Sequence, residues 1–336
     1  MKTLIRCLLS LRYRVQLEGL EQVNALTGAT LIIPNHPAYI DPLLLITRLS
    51  LYRPLRPLVY SGTYRMKLLR PLMKMASALE VPDLTRPNRQ NHRLTCELIQ
   101  HTIERLRAGD CILIYPSGRL QRGDREVVGA ARAAYELICR VPEANIVLVR
   151  TRGLWGSRFS CTAAGELPNL ARQTRSAALW TLASFIFWLP RRHVTMQLQV
   201  VDRSQLPLND RRSFNAFLEK WYNAEGAQPP KFVRYHHWFG PRKGQFKPAH
   251  RVPVELSSIS LETIQRVNQM LENLLGRTLA SDELQANIHL ENLGLDSLDC
   301  VELMLQIQSH YGHHEETVPE TLAGLWRFAD NCRRAS

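Results

Sequence analysis

Short apolar runs alternate with longer stretches whose apolar positions recur at helical spacing, and this alternation fills the first two thirds of the chain. Residues 31–34, 111–115, 146–150 and 194–201 are apolar enough to read as buried strands. Between them, residues 91–107 place Leu94, Leu98, Ile103 and Leu106 at near-helical spacing and stop at Ala108-Gly109, where a C-terminal glycine is expected. The alanine-rich stretch 125–140 predicts another helix. Strands separated by helices in this way predict an α/β domain with helices around a mostly parallel sheet.

The pattern then changes. Residues 224–253 are rich in proline, glycine and basic residues around the aromatic patch Tyr235-His236-His237-Trp238-Phe239. The later part, 240–256, reads as a linker, which divides the chain into domains 1–239 and 257–336. In the second domain, 258–275 predicts a helix with Ile259, Ile264, Val267, Met270, Leu271 and Leu274 inward. Residues 298–310 predict a second, packing through Val301, Leu303, Leu305 and Ile307, and Val318-Pro319-Glu320-Thr321 opens a last one running to Phe328, its core residues Leu322, Leu325 and Trp326. Only helices are expected there, so this is a small all-α unit.

At 336 residues and 45% hydrophobic content, the chain is long enough for two cores. The formal charge of +13 hides an asymmetry: residues 256–336 hold 12 acidic and 5 basic groups, net −7, which leaves +20 for residues 1–255. A basic body of that size suits an anionic membrane, and the acidic one suits a basic protein face, including its neighbour's. Nucleic acid is not expected as a partner, because the basic part lacks an aromatic RNA motif, a basic recognition helix or a glycine-rich phosphate loop. Seven scattered cysteines without a Cys-x-x-Cys pair argue against disulfides and zinc, and no metal is expected at the histidine pairs His236-His237 and His313-His314.

Residues 1–15 carry Arg6, Arg12 and Arg14 among their apolar positions, unlike a secretory signal, and suit an amphipathic helix on a membrane. Residues 177–189 form the longest apolar run, shorter than the ~20 residues a bilayer requires, so a core helix or an interfacial helix is expected rather than a span. The resulting expectation is a cytoplasmic protein, peripheral on the inner face of the membrane.

Three places carry chemistry. In Pro34-Asn35-His36-Pro37-Ala38-Tyr39-Ile40-Asp41 a histidine follows a strand directly, and an aspartate five positions later stands at a helix start. A tight turn would bring carboxylate to imidazole, set its tautomer and leave the other ring nitrogen as a base. In Tyr115-Pro116-Ser117-Gly118-Arg119 a strand ends through glycine at an arginine, whose planar fork suits phosphate while glycine admits close approach of backbone amides. In Leu293-Gly294-Leu295-Asp296-Ser297-Leu298 a serine stands at the start of an acidic helix.

The first two blocks, with Pro82-Asp83-Leu84-Thr85-Arg86 between them and the apolar stretch 146–150 after them, resemble the glycerolipid acyltransferase family of lysophosphatidate and lysophospholipid acyltransferases. The resemblance spans residues 17–238, where Gly153-Leu154-Trp155-Gly156-Ser157 and Trp221-Tyr222-Asn223 extend it. It implies that His36 takes a proton from a hydroxyl that attacks an acyl thioester, with Asp41 supporting the imidazolium. Arg119 and Arg86, with Ser117 and Gly118, would hold the lipid phosphate, and amides near Gly118 would stabilise developing charge. One position departs from the family: Ser117 stands where most relatives have glutamate.

Residues 257–331 resemble the four-helix acyl carrier proteins, which implies covalent 4'-phosphopantetheine on Ser297 and an acyl thioester at its end. The implied partners are a phosphopantetheinyl transferase, an acyl-activating ligase or fatty-acid synthase that supplies the acyl group, and a lysophospholipid-like acceptor. Two other functions fit the same residues: acylation of an amino-acid lipid or glycolipid, and a non-catalytic membrane-bound carrier scaffold. The 17-residue linker would reach roughly 20–25 Å and hold the donor at an effective concentration on the order of millimolar.

Overall fold

A computed structural model of the protein describes residues 2–49, 54–67, 69–163, 167–185, 189–238, 259–314 and 316–335. Among them, seven strands form one sheet: β1 Tyr13–Glu18, β2 Thr30–Pro34, β3 Leu55–Tyr60, β4 Leu79–Val81, β5 Cys111–Leu113, β6 Asn145–Arg152 and β7 Arg192–Val201. Their order is β1-β7-β6-β2-β5-β3-β4. Every neighbouring pair is parallel except β6 and β7, so the edge pair β1–β7 runs against the other five.

The accompanying helices are α1 Lys2–Arg12, α2 Leu20–Asn24, α3 Asp41–Ile46, α4 Ser61–Tyr64, α5 Arg70–Met75, α6 Arg89–Arg107, α7 Ala133–Arg140, α8 Leu170–Ala183 and α9 Arg211–Tyr222. They explain why β2 lacks polar alternation. Leu31 and Ile33 pack with Ile103 and Leu106 of α6, Leu137 of α7 and Phe214 and Leu218 of α9, whereas Ile32 packs with Val23 of α2 and Leu44 and Leu45 of α3. A strand buried on both faces has to be apolar throughout. Each such side chain stabilises the fold by about 1.5–3 kcal/mol relative to exposure.

The helix expected at 91–107 begins at Arg89, because the Asn88 side chain caps it by accepting from the N–H groups of Gln90 and Asn91 at 2.8 and 3.1 Å. The helix expected over 125–140 forms only from Ala133. Side chains of α9 and of the residue after it satisfy the earlier amides: Asn223 accepts from Glu126 at 3.0 Å, and Glu219 accepts from Val128 and Gly129 at 2.7 and 2.9 Å. Gly129 adds a left-handed φ of 63°. Tertiary partners therefore override the local propensity of this stretch.

The C-terminal part contains α10 Leu261–Leu275, a 3₁₀ turn Leu290–Leu293, α11 Ser297–Tyr311 and α12 Leu322–Ala335. Its core, which includes Val267, Leu271, Leu303, Met304, Ile307, Leu325 and Phe328, is separate from the clusters on the sheet. The last helix starts at Leu322 rather than Val318 and runs past Phe328. The preceding residues are held extended by a bridge between His289 and Thr321 and by the bond from Leu290 N–H to the Glu320 carbonyl. The expected linker 240–256 lies outside the described residues, as do Phe239 and residues 186–188 of the apolar run 177–189.

Candidate active site

Parallel β2, β5 and β6 end together, and the loops leaving them meet there, where open α/β sheets place their ligands. Asn35, just past β2, is tied to β6: its side-chain amide donates to the Thr151 carbonyl at 3.1 Å, and Thr151 N–H donates back to Oδ1 at 2.7 Å. This lock sets the direction in which the following residue leaves the sheet.

That residue is His36, whose Nδ1 lies 2.9 Å from Oδ2 of Asp41, the first residue of α3. Asp41 is 2% exposed, His36 13%. The same oxygen of Asp41 accepts from Ala38 N–H at 3.4 Å, and its other oxygen accepts from the Tyr115 hydroxyl. Tyr115 also stacks on the imidazole, with ring centroids 4.0 Å apart. Burial, reinforced by Asp41, raises the Tyr115 pKa well above its ordinary value and keeps the hydroxyl a donor. The imidazole is thus held at an edge and a face. With Nδ1–H directed to Asp41, Nε2 is the nitrogen left for an incoming proton.

The Tyr115–Arg119 turn closes through Gly118, whose φ is 63° and whose N–H donates to the Tyr115 carbonyl at 3.0 Å. That amide is consequently committed to the turn. Ser117 Oγ lies 3.0 Å from the Arg119 carbonyl and 2.9 Å from Oε1 of Glu126, a residue that the sequence did not single out. Glu126 is 3% exposed, and its Oε2 accepts from the backbone N–H of His36 at 3.2 Å. Gln121 N–H donates to the His36 carbonyl at 2.8 Å, so both backbone groups of His36 are held by this one loop.

The family expectation places a carboxylate at position 117; here a carboxylate from position 126 reaches the Ser117 hydroxyl. Burial lifts the Glu126 pKa to about 7, against the opposing pull of Ser117 and the His36 amide. Protonated Glu126 would donate to Ser117, which would then donate to the Arg119 carbonyl. Ionised Glu126 would accept from Ser117 instead. A lone glutamate beside Val127, Val128 and Gly129, a poor helical context, was the available sign that residue 126 does something other than face solvent.

The two arginines go separate ways. Arg119 makes a two-pronged ion pair with Glu291 of the C-terminal part, one contact at 2.7 Å. Arg86 is exposed on the turn after β4, near Asp83, whose pKa is held low against burial by bonds from Thr85 and Tyr60 and, least of these, by the Arg86 charge. The contacts that join His36, Asp41, Ser117 and Arg119 do not include Arg86. Among the described residues no group of three or more His, Cys, Asp or Glu could hold a metal, and no helix is long and apolar enough to cross a membrane.

Ser297 is exposed at the first position of α11. Asp296 caps the helix by accepting from Leu298 and Asp299 N–H, both at 2.9 Å, and Asp299 Oδ2 accepts from Asp296 N–H at 3.0 Å. This reciprocal capping presents the serine hydroxyl at a helix start, a place suited to a phosphodiester, while Leu298 and Cys300 stay buried.

Comparison with known proteins bears on both parts. An acyltransferase family model matches residues 14–150, which contain His36, Asp41 and Arg119. A phosphopantetheine attachment site model matches residues 265–318, which contain Ser297. No curated protein matches the chain. Among solved structures, the crystal structure of the 1-acyl-sn-glycerophosphate (LPA) acyltransferase PlsC from Thermotoga maritima is similar over 67% of this chain and 77% of that one. The identity is 10% and the TM-score 0.44, too loose a likeness to bear on substrate. The chain therefore joins an acyltransferase-family domain at residues 14–150 to a carrier domain at residues 265–318 that holds 4'-phosphopantetheine on a serine.

Proposed function

We propose that this chain transfers an acyl group from its carrier thioester to the hydroxyl of a lysophospholipid-like acceptor, with His36 as the general base and Ser297 as the attachment point. The observation that carries this reading is the His36–Asp41 pair, 2.9 Å apart and walled by Tyr115 at the carboxyl end of β2. When bound, the phosphopantetheine arm supplies the acyl group as a thioester. His36 Nε2 takes the proton of the acceptor hydroxyl as its oxygen attacks the acyl carbon, and Asp41 supports the imidazolium that results. The proton then leaves with the departing thiolate. Such proton transfer contributes typically 10²–10⁴-fold to the rate. Glu126 and Gln121 hold the His36 backbone so that the ring does not swing away from Asp41.

The acyl group must come from a ligase or fatty-acid synthase acting on the carrier, and a phosphopantetheinyl transferase must first install the arm. Attachment to an anionic membrane from the cytoplasmic side agrees with the +20 charge of residues 1–255 and with apolar side chains presented to solvent. These are Leu4 and Leu8 on α1 and Leu179, Leu182 and Phe185 along and just after α8, with Phe185 79% exposed.

One observation favours a second acceptor class. Arg119, which would hold a lipid phosphate, is already paired with Glu291, and Ser117 replaces the family carboxylate. An acceptor without a phosphate at that position, an amino-acid lipid or a glycolipid, would not compete for Arg119. To decide, the acyl-loaded protein is offered lysophosphatidate, other lysophospholipids, amino-acid lipids and lysoglycolipids together, and products are read by lipid mass spectrometry. Acylated lysophosphatidate or lysophospholipid supports the main reading. Product only from the other classes replaces it, and no His36-dependent product from any class leaves the scaffold.

A further inference from the structure

The two parts of the chain meet across a row of opposite charges that surrounds the serine. Arg132 pairs with both Asp296 and Asp299, the residues that cap α11 on either side of Ser297. Arg211, the first residue of α9, lies 3.5 Å from each of the same carboxylates and donates to the Gly294 carbonyl at 2.7 Å. Arg119 grips Glu291, Arg122 meets Glu320 at 2.9 Å, and Arg89 donates to Ser309 Oγ at 3.1 Å. A backbone bond, from Val318 N–H to the Thr85 carbonyl at 2.8 Å, completes the contact.

We propose that the arginine face formed by Arg119, Arg122, Arg132 and Arg211 is the seat of the chain's own carrier domain, so that each thioester is used by the enzyme to which it is covalently joined. This inference rests on the acyltransfer reading above and adds which copy of the carrier serves the site. Three features carry it. The contacts converge on the serine's own helix cap rather than on an arbitrary part of the acidic surface. Asp296 is buried and Arg132 largely so, which makes the centre of the contact less screened by solvent than an exposed pair. Burial alone would lower the Arg132 pKa; Asp296 and Asp299 more than reverse that, so the charge is fully kept.

The seat also adjoins the catalytic loop. Arg119 follows Gly118 in the turn that Ser117 anchors to Glu126, and Gln121, two residues on, holds the His36 carbonyl. Gly129 lies against Glu291: a Cβ there would come within 3.0 Å of its Oε2. Covalent connection raises the local carrier concentration to the order of millimolar, so even a weak docking equilibrium would be largely occupied within one chain.

The test uses the full holo-chain and two readouts. Small-angle scattering of the wild type should give a compact particle, and Arg132→Glu with Arg211→Glu should enlarge its radius of gyration while circular dichroism shows both domains folded. If the double variant does not fold, Arg211→Glu alone is measured, with a smaller enlargement expected. An unchanged radius of gyration in a folded variant overturns the seat. For use in cis, acyl discharge from loaded wild type should keep one first-order rate constant across a hundredfold dilution. Acyl-loaded His36→Ala mixed with Ser297→Ala should discharge at least tenfold more slowly at micromolar concentration. A rate proportional to concentration, or a mixture as fast as the wild type, overturns use in cis. Scattering does not depend on catalysis, so failure of the acyltransfer reading, seen as discharge indifferent to His36, is distinguishable from failure of the seat.

Discussion

The two sides of the candidate site are built on opposite principles. The His36 side is assembled inside one domain: Asp41 and Glu126 are buried, Tyr115 is partly buried, and each touches the histidine or its backbone. The arginine side is assembled across two domains, with Asp296 buried at its centre and Arg119 and Glu291, both over a third exposed, at its edge. A base that must accept a proton at a fixed atom gains from a rigid, low-dielectric setting. A surface that must receive and release a carrier gains from charge pairs that form and break cheaply. The difference teaches that, on the proposed reading, rigidity is concentrated where the proton would move and exchangeable pairs ring the place where the acyl group would arrive.

Each side can be broken separately. The largest effect should come from Ser297→Ala. Intact-protein mass spectrometry after treatment with a phosphopantetheinyl transferase should show the full mass gain in wild type and none in this variant, and a gain that persists would move the attachment point to another serine. Next is Asp41→Asn, which removes the charge that steadies the imidazolium and leaves one acceptor oxygen where His36 and Tyr115 now use two; transfer should fall about 10²-fold or more while carrier loading is unchanged. An equally active Asn variant would reduce Asp41 to a helix residue.

A smaller effect belongs to Glu126. Its folded pKa of about 7 exceeds the ordinary 4.5, so the folded protein binds an extra proton between those values and loses stability as pH rises through that window. Glu126→Gln should flatten this loss, which is a few kcal/mol at most, and should remove an inflection near pH 7 from the transfer rate. Identical pH profiles for wild type and variant would assign the carboxyl no part in holding the loop. The smallest effect is expected at the membrane, where replacing Leu179, Leu182 and Phe185 together by serine should lower sedimentation with anionic vesicles by about tenfold or less. Unaltered sedimentation would leave attachment to the basic residues alone.

Much of this arrangement could be read from residue order. The continuous apolar stretch at 31–34 announced a central strand because both faces of β2 are covered, and the five-residue separation of His36 from Asp41 announced their contact because a single tight turn spans it. The helix start at Ser297 was visible for the same local reason, although the residue that caps it is Asp296. Other features stayed hidden because distant residues create them. Strand β3 is interrupted by Arg56 and Pro57, β4 has only three residues, and β1 begins within the 1–15 stretch that reads as a helix. Glu126 falls in an apparent helix whose amides are taken by Asn223 and Glu219, residues more than ninety positions away. Glu291 is 172 residues from Arg119, and no local pattern could announce that pairing.

The central claim is that His36 activates the acceptor for a thioester held on the same chain. Acyl discharge from the loaded holo-protein in the presence of acceptor, followed by intact mass in wild type and His36→Ala, tests it most directly. Wild type should lose its acyl group to the acceptor, and the alanine variant should retain it with a rate at least 10²-fold lower. Discharge of the alanine variant at the wild-type rate would contradict the account.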